Sequence, residues 1–366
     1  MAAAPAAPAA PAGGAGGARF PVESLTGFAQ SLLQAAGLGE AMALDVAEVL
    51  VEGDLLGHDT HGLQLLAGYV GEIEKGTMAR EGLPRIIAER PAVATWDGQR
   101  LPGPWLVRRA IDWARPRAQM HGAATIVIRR SHHIACLAAY LEPLARAGLV
   151  AVLYSSDPAV ASVAPFGGTQ AVFTPNPLAV GIPTSGDPVL IDISASVTTN
   201  GMSGRLKNAG RQGEHAWWLD ALGQPTRDPA VLFAQPPGTI LPLGGLDAGH
   251  KGYGLALMIE ALTGGLAGYG RADLVEGWGA TVHLQLYDPA AFAGAAPFTW
   301  QTDWIVDACH RSAPRVHDRP VRLPGERGLA LKRAQLRDGV ALQAGILPGL
   351  APLAERLGVA LPDPLR

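Results

Sequence analysis

"ATIVIRRSHHIACLAAYLEPLARAGLVAVLYSS", residues 124–156, decides the fold class. Two apolar runs, "ATIVIRR" and "LVAVLYSS", read as strands, and between them "ACLAAYLEPLARAG" carries the spacing of a helix. A dinucleotide fold of the common doubly wound type places Gly-x-Gly-x-x-Gly between its first strand and helix, where the pyrophosphate rests on a helix N-terminus. No such motif stands here. Other glycine clusters, "GGAGG" and "GGLAGYG", follow no strand, so any nucleotide must be held another way. The strand end offers instead His132 and His133, at a place where α/β sites assemble. Alternation lets only one of the two face a given cavity, and the residues alone do not choose between them.

Outward from this unit the pattern stays mixed. Upstream, "ESLTGFAQSLLQAAG", "AMALDVAEVLVEGDLLG" and "HGLQLLAGYVGEIEKG" repeat apolar residues at helical spacing from Val22 to about Lys75. Two short strand-like runs follow, "PRIIAE" and "AVATWDG", then an amphipathic helix from about Pro104 to His121 with proline in its first turn. Downstream, "LAVGIPT" and "PVLIDIS" read as strands and Thr198–Ala209 as a helix. The glycine-punctuated "GHKGYGLALMIEALTGGLAG" reads as a long helix, "ATVHLQLYDP" as a strand, and Val321–Arg366 as short helices joined by prolines. The class is α/β with a helical N-terminal layer. Residues 1–19 form an Ala/Pro/Gly tail of disordered composition.

The 366 residues are 48% apolar, enough for a large core, and the formal net charge is only -3. Without a broad basic surface, nucleic acid is excluded as an expected partner. Charged residues make up 17%, below the roughly 25% usual for globular domains, which fits surface covered by self-association. Cys136 and Cys309 sit far apart within apolar helical patterns and read as two buried thiols in a reducing compartment, the cytoplasm. No apolar run approaches the roughly 18 residues of a membrane helix.

Several polar stretches could carry chemistry. In "GHDTHG", residues 57–62, His58 and His61 lie three apart as metal ligands can, whereas Asp59 or Thr60 could cap the next helix. His61 also opens a helix, where backbone N–H groups favour an anion. "VLIDIS" brings Asp192 to the end of an apolar run, as a cap or a site residue. "FTPNPLAVGIP", residues 173–183, holds Asn176 between prolines that fix its backbone. "GHKGYG", residues 249–254, puts His250 and Lys251 at a helix start, against the macrodipole, which points to a compensating anion.

Together these stretches resemble the malate/L-lactate dehydrogenase family of the second type, which is unrelated to the Rossmann lactate and malate dehydrogenases and includes ureidoglycolate and sulfolactate dehydrogenases and a cyclic-imine reductase. "EGDLLGHDTHG", "RRSHHIA", "FTPNPLAVGIP", "LIDISAS" and "LPLGG…GHKGYGLAL" match the family's motifs in register across most of the chain. The resemblance implies an α/β fold with a non-Rossmann mixed β-sheet core binding NAD or NADP over residues 122–300. Around it would pack a helical N-terminal region, 20–121, and a C-terminal helical region, 301–366, that returns onto the first. It also implies a homodimer. His133 aligns with the family's acid/base histidine, and an imidazole titrating near neutrality suits proton transfer to or from a 2-hydroxy acid. His61, Thr60 and Asp192 match positions near substrate and nicotinamide. Ser156, Asn176, Asp192, His250, Lys251, Gly277 and Gly279 match cofactor-contact regions, and the resemblance implies no metal.

The chain also departs from the family. Leu56 and Leu65 stand where many members carry arginines, Met202 replaces a common lysine, and Ala135 replaces the glycine after the catalytic histidine. With those bidentate carboxylate binders absent, the expected substrate is a lactate-like monocarboxylate, its carboxylate held by a cation among His61, Arg205, Lys207 and Arg211. His61 or Arg205 is the expected one. A cyclic-imine reductase is the nearest variant. The competing classes are a metal-dependent hydrolase or lyase using His58, His61, His132 and His133, and a non-catalytic binding protein.

Overall fold

The computed structural model describes residues 18–365, so the tail over residues 1–17 lies outside the described residues. Arg19, counted with that tail, belongs to the first strand, β1 (Arg19–Phe20). Three helices follow, α1 (Val22–Ala35), α2 (Glu40–Leu55) and α3 (Leu66–Glu74). α1 buries Leu25, Phe28, Ala29, Leu32 and Leu33, one stripe at the helical period. In α2 the stripe widens, and Val49, Leu50, Val51, Gly53, Asp54 and Leu55 are all buried. Its last turn is therefore enclosed by protein.

The chain continues through β2 (Arg85–Arg90), β3 (Val93–Asp97), α4 (Gly103–His121) and β4 (Ala123–Ser131). α4 opens with Pro104 and closes on Gly122 at a φ of 83°, a left-handed stop that glycine adopts without strain. Next come α5 (Leu141–Arg146), β5 (Val150–Ser156), β6 (Pro177–Ile182), β7 (Val189–Ser194) and α6 (Asn200–Asn208), whose N-cap Thr199 accepts the Met202 N–H. A small sheet of β8 (Trp218–Leu219), β9 (Pro225–Thr226) and β10 (Thr239–Ile240) precedes α7 (Gly245–Glu260) and β11 (Ala280–Tyr287). α8 (Ala295–Arg311), α9 (Glu326–Asp338), β12 (Val340–Ala341) and α10 (Ile346–Leu357) end the described chain.

Seven strands form one mixed sheet in the order β2-β3-β4-β11-β5-β6-β7, with only the β3/β4 pair parallel. The strand–helix–strand unit of residues 124–156 is present, but its strands are not neighbours, because β11 lies between them and antiparallel to both. Its helix is shorter than the periodicity predicts. Residues 132–136 run irregularly, a single 3-10 turn covers Leu137–Tyr140, and α5 is six residues long.

This topology decides where a site can form. β3, β4, β5 and β7 all point one way, and β6 and β11 the other. The carboxyl ends of the first four and the amino ends of the last two therefore share one edge of the sheet. On one face Ile126, Ile128, Leu153, Val282 and Leu284 join the main core with α1 to α4, each such side chain contributing about 1.5–3 kcal/mol by burial. Beyond the sheet, Phe173, Leu206, Trp218, Ile240 and Ile259 form a second cluster.

The regions expected from sequence interpenetrate. β2 and β3, from the stretch read as the helical N-terminal region, complete the same sheet as residues 123–287. The C-terminal segment returns to the N-terminal helices: β12 pairs with β1, Lys332 bridges Glu52 and Glu142, and Gln335 reaches the end of α2. α8, which begins at Ala295, leans instead on the β6–β7 connection through Thr302 and Asp303. Cys136 is buried and Cys309 only partly so, and both are free.

Candidate active site

His132 and His133 follow the end of β4, and both rings pack against Tyr69 and Trp278. His132 is fully buried, edge-on to Tyr69 and Trp278, with Nε2 3.7 Å from Glu72 Oε2, too far for a hydrogen bond. Burial pushes its imidazole down to about 4, so it is neutral near pH 7. The His133 ring stands 5.9 Å from that of His61, 4.8 Å from that of Trp278 and 6.0 Å from that of Tyr69. Burial, then the neighbouring His61 and His132, hold His133 well below the ordinary imidazole value.

The backbone under His133 is closely constrained. A Cβ on Gly103, the first residue of α4, would fall 2.3 Å from the His133 carbonyl oxygen, so only glycine lets α4 start there. Ala135 adopts a φ of 58°, a left-handed conformation that glycine takes without strain. Its N–H lies 3.3 Å from His133 Nδ1. The Tyr69 hydroxyl lies 2.8 Å from the same nitrogen and donates to the His133 carbonyl oxygen at 3.2 Å.

His61 comes from the turn after α2. Residues 59–61 make one 3-10 turn, not the start of a longer helix, and Thr60 Oγ1 is 2.9 Å from His61 Nδ1. Asp54, in the enclosed last turn of α2, accepts the Leu63 N–H at 2.8 Å and so closes this loop. Burial raises the Asp54 carboxyl to about 8. The loop separates the histidines of "GHDTHG": His61 stacks on His133, lowered by burial, while His58 Nδ1 stands 4.0 Å from Asp192 Oδ2. Asp192 also accepts the Ala138 N–H at 2.9 Å, and Cys136 Sγ lies 3.8 Å away. The four histidines of the hydrolase alternative thus do not converge on one point.

Of the four candidate cations, the fold brings two together. Arg205, on α6, donates to Gln64 Oε1 at 2.6 Å and stands 3.8 Å from Asp59, on the same turn as His61. Lys207 lies over the Phe233 ring and Arg211 is exposed beyond the helix. Leu56 is buried in the main core, facing α9, while Leu65 is partly buried beside Gln64. Met202 is exposed on the first turn of α6.

The residues matched to cofactor contacts divide. Ser156 and Asn176 are buried, their side chains donating to Glu260 Oε1 at 2.8 and 3.0 Å, and Arg271 donates to the same oxygen. This network ties β5 and β6 to α7. His250 and Lys251 are exposed, one turn into α7 and just past a break at Ala248, rather than at the helix start. Gly244 and Gly245 ahead of them both have positive φ, and the Gly245 N–H donates to the Pro242 carbonyl oxygen at 2.9 Å, closing the turn that starts α7. Gly277, at a φ of 79°, and Gly279, whose added Cβ would meet the Ser131 carbonyl oxygen at 3.1 Å, set the path of Trp278.

Sequence reading missed Tyr69, Trp278 and Arg100. Tyr69 sits in an ordinary apolar helical stripe, which signals only core. Trp278 lies between two glycines singled out for backbone reasons, and Arg100 holds that loop by donating to Thr77, Glu276 and Trp278 carbonyl oxygens.

A family model described as malate/L-lactate dehydrogenase matches residues 20–351. Hydroxycarboxylate dehydrogenase B of Escherichia coli O157:H7 is 30% identical, covering 93% of this chain and 95% of its own. L-lactate dehydrogenase of Cupriavidus necator is 31% identical over 94% and 99%, and Delta(1)-pyrroline-2-carboxylate reductase of Ancylobacter novellus 31% over 88% and 94%. The solved malate dehydrogenase of Pyrococcus horikoshii superposes with a TM-score of 0.83 at 27% identity, over 95% of this chain and 97% of that one.

Proposed function

The chain belongs to the malate/L-lactate dehydrogenase family, and from that footing we propose that it transfers a hydride between NAD or NADP and C2 of a small 2-hydroxy or 2-oxo acid with one carboxylate. The observation that carries this reading is the pairing of His133 with His61 at the shared sheet edge, with the Arg205 guanidinium, from α6, against the turn that carries His61. His250 and Lys251, beside the Gly244–Gly245 turn, fit the phosphates of a dinucleotide in charge. When bound, the nicotinamide supplies or accepts the hydride.

His133 handles the proton. The Tyr69 hydroxyl and the Ala135 N–H both lie on His133 Nδ1, which leaves Nε2 as the ring nitrogen that exchanges the proton. Nε2 takes the C2 hydroxyl proton during oxidation and returns it to the carbonyl oxygen during reduction. Trp278 lies against the ring and limits water there. Arg205 and His61 hold the carboxylate, with Leu65 leaving no second guanidinium for a second one. A cytoplasmic homodimer is part of this proposal, supported by exposed Trp300, Trp304 and Ile305 on α8. No helix among the described residues is long and apolar enough to cross a membrane.

The test is a panel of 2-oxo acids, oxaloacetate and a cyclic imine, each with NADH and NADPH, followed at the nicotinamide absorbance. Turnover best with oxaloacetate would overturn the monocarboxylate assignment, and best with the imine would move the enzyme to the reductases. Alanine at both His61 and Arg205 is expected to raise KM by about tenfold or more, in line with loss of a charged hydrogen bond; an unchanged KM for every active acid rejects them as carboxylate ligands. His133→Gln is expected to abolish turnover while cofactor binding, read by fluorescence, survives. Loss at His132→Gln but not at His133→Gln would reverse the assignment.

A further inference from the structure

We propose that His58, Cys136 and Asp192 form a binding site for one thiophilic divalent cation of the zinc class, at the rim of the histidine pair. Their donor atoms all lie within 4.8 Å of one another. Cys136 Sγ and His58 Nδ1 stand 3.8 and 4.0 Å from the same Asp192 oxygen. Around tetrahedral zinc, with Zn–S about 2.3 Å and Zn–N and Zn–O about 2.1 Å, ligand atoms sit roughly 3.4–3.6 Å apart. Those two pairs close by about half an ångström to meet that geometry, and the Cys136–His58 pair, within 4.8 Å, by up to about 1.2 Å.

Three separate elements deliver the ligands. Cys136 lies in the irregular run after β4, Asp192 on β7, and His58 on the turn after α2. A Cβ on Gly53 would sit 3.3 Å from the Cys136 Cβ and 2.9 Å from the His61 carbonyl oxygen, so glycine at 53 is what lets α2 bring its turn this close. The Ala138 N–H already fixes the Asp192 carboxylate. His58 is the adjustable member: its side chain is 37% exposed, and among the described residues neither ring nitrogen makes a hydrogen bond. One sulfur, one imidazole and one carboxylate make a donor set that selects zinc-like ions over magnesium or calcium. Three protein ligands with a solvent-facing side leave the fourth position to water.

Asp192 also matches a family position near substrate and nicotinamide, so on the proposed function, on which this part rests, occupancy and turnover oppose each other. Binding itself does not depend on the dehydrogenase reading. Purified full-length protein, stripped with chelator, is titrated with Co2+. The expected result is a thiolate-to-cobalt charge-transfer band in the near ultraviolet with visible bands of four-coordinate cobalt, saturating at one equivalent. Cys136→Ser should lose the charge-transfer band, His58→Ala should weaken binding by about tenfold or more, and Cys309→Ser should match wild type. Zinc should displace the cobalt and inhibit turnover, reversibly with chelator and less in His58→Ala. Absence of the band in wild type, its persistence in Cys136→Ser, or unchanged affinity in His58→Ala each overturns the site. The last holds even if the buried Cys136 variant fails to fold. Cobalt binding without zinc inhibition keeps the site and overturns its opposition to turnover.

Discussion

At the scale of single residues, Ala135 holds a backbone conformation that glycine would adopt without strain. A left-handed conformation costs a non-glycine residue about 1–2 kcal/mol, and here the φ is 58°. Glycine would relieve that strain but lose a buried methyl and gain unfolded-state freedom, together about 1–2 kcal/mol. Ala135→Gly should therefore change stability by less than about 1 kcal/mol and leave turnover near wild type. Ala135→Val, with its branched Cβ, should destabilise by about 2 kcal/mol or more and lower kcat, since the 135 N–H sits against His133 Nδ1. Chemical denaturation and steady-state kinetics on both variants check this. The arginine absent at Leu56 bears on no site, because the position is buried toward α9. Leu65 is partly buried against the same core, next in sequence to Gln64, which accepts from Arg205.

At the scale of elements, the turn that carries His61 depends on a helix distant in sequence. Gln335 on α9 is 3% exposed, and its amide donates to the Asp54 and Leu55 carbonyl oxygens at 3.0 and 3.1 Å while its oxygen accepts the Ala341 N–H. Carbonyls at a helix end have no intrahelical partner, and the end of α2 is enclosed by protein. Gln335→Leu leaves the Leu55 carbonyl and the Ala341 N–H unpaired, a loss of about 2–4 kcal/mol. It should also lower kcat several-fold, because the loop carrying His61 starts where α2 stops. Equal denaturation midpoints for variant and wild type would refute the capping role. The helices themselves were legible from apolar periodicity, but this bond was not, since nothing local in "ALKRAQLRD" distinguishes Gln335 from an exposed glutamine.

At the scale of the whole molecule, burial sets the response to pH. Asp54 has its carboxyl raised to about 8 from 3.8, so the folded chain holds a proton that the unfolded chain releases. Its contribution to stability is complete below 3.8 and is lost as pH rises to about 8. Asp54→Asn keeps an acceptor for the Leu63 N–H and cannot ionise. The stability difference between variant and wild type should grow in the variant's favour from pH 5 to about 8 and then level off, as read from denaturant midpoints. A difference independent of pH would show that Asp54 is ionised in the fold. His132, His133 and His61 act with opposite sign: each is lowered from 6.5, so their stabilisation is complete above that pH and declines on acidification, for His132 down to about 4.

By itself the sequence determined the α/β class, the helical layers, most strand positions and the absence of a Rossmann phosphate turn, because period-2 and period-3.6 patterns and glycine spacing are local properties of the chain. Its motif resemblance also picked out the residues around His133 and His61. Only tertiary structure decided that β11 separates β4 from β5, since pairing between distant strands leaves no mark in either strand's own pattern. The same packing placed Tyr69 and Trp278 against both histidines, turned Ser156 and Asn176 toward Glu260, and brought His58, Cys136 and Asp192 together. Each of these depends on which buried surfaces meet, and that follows from the assembled core rather than from any one segment.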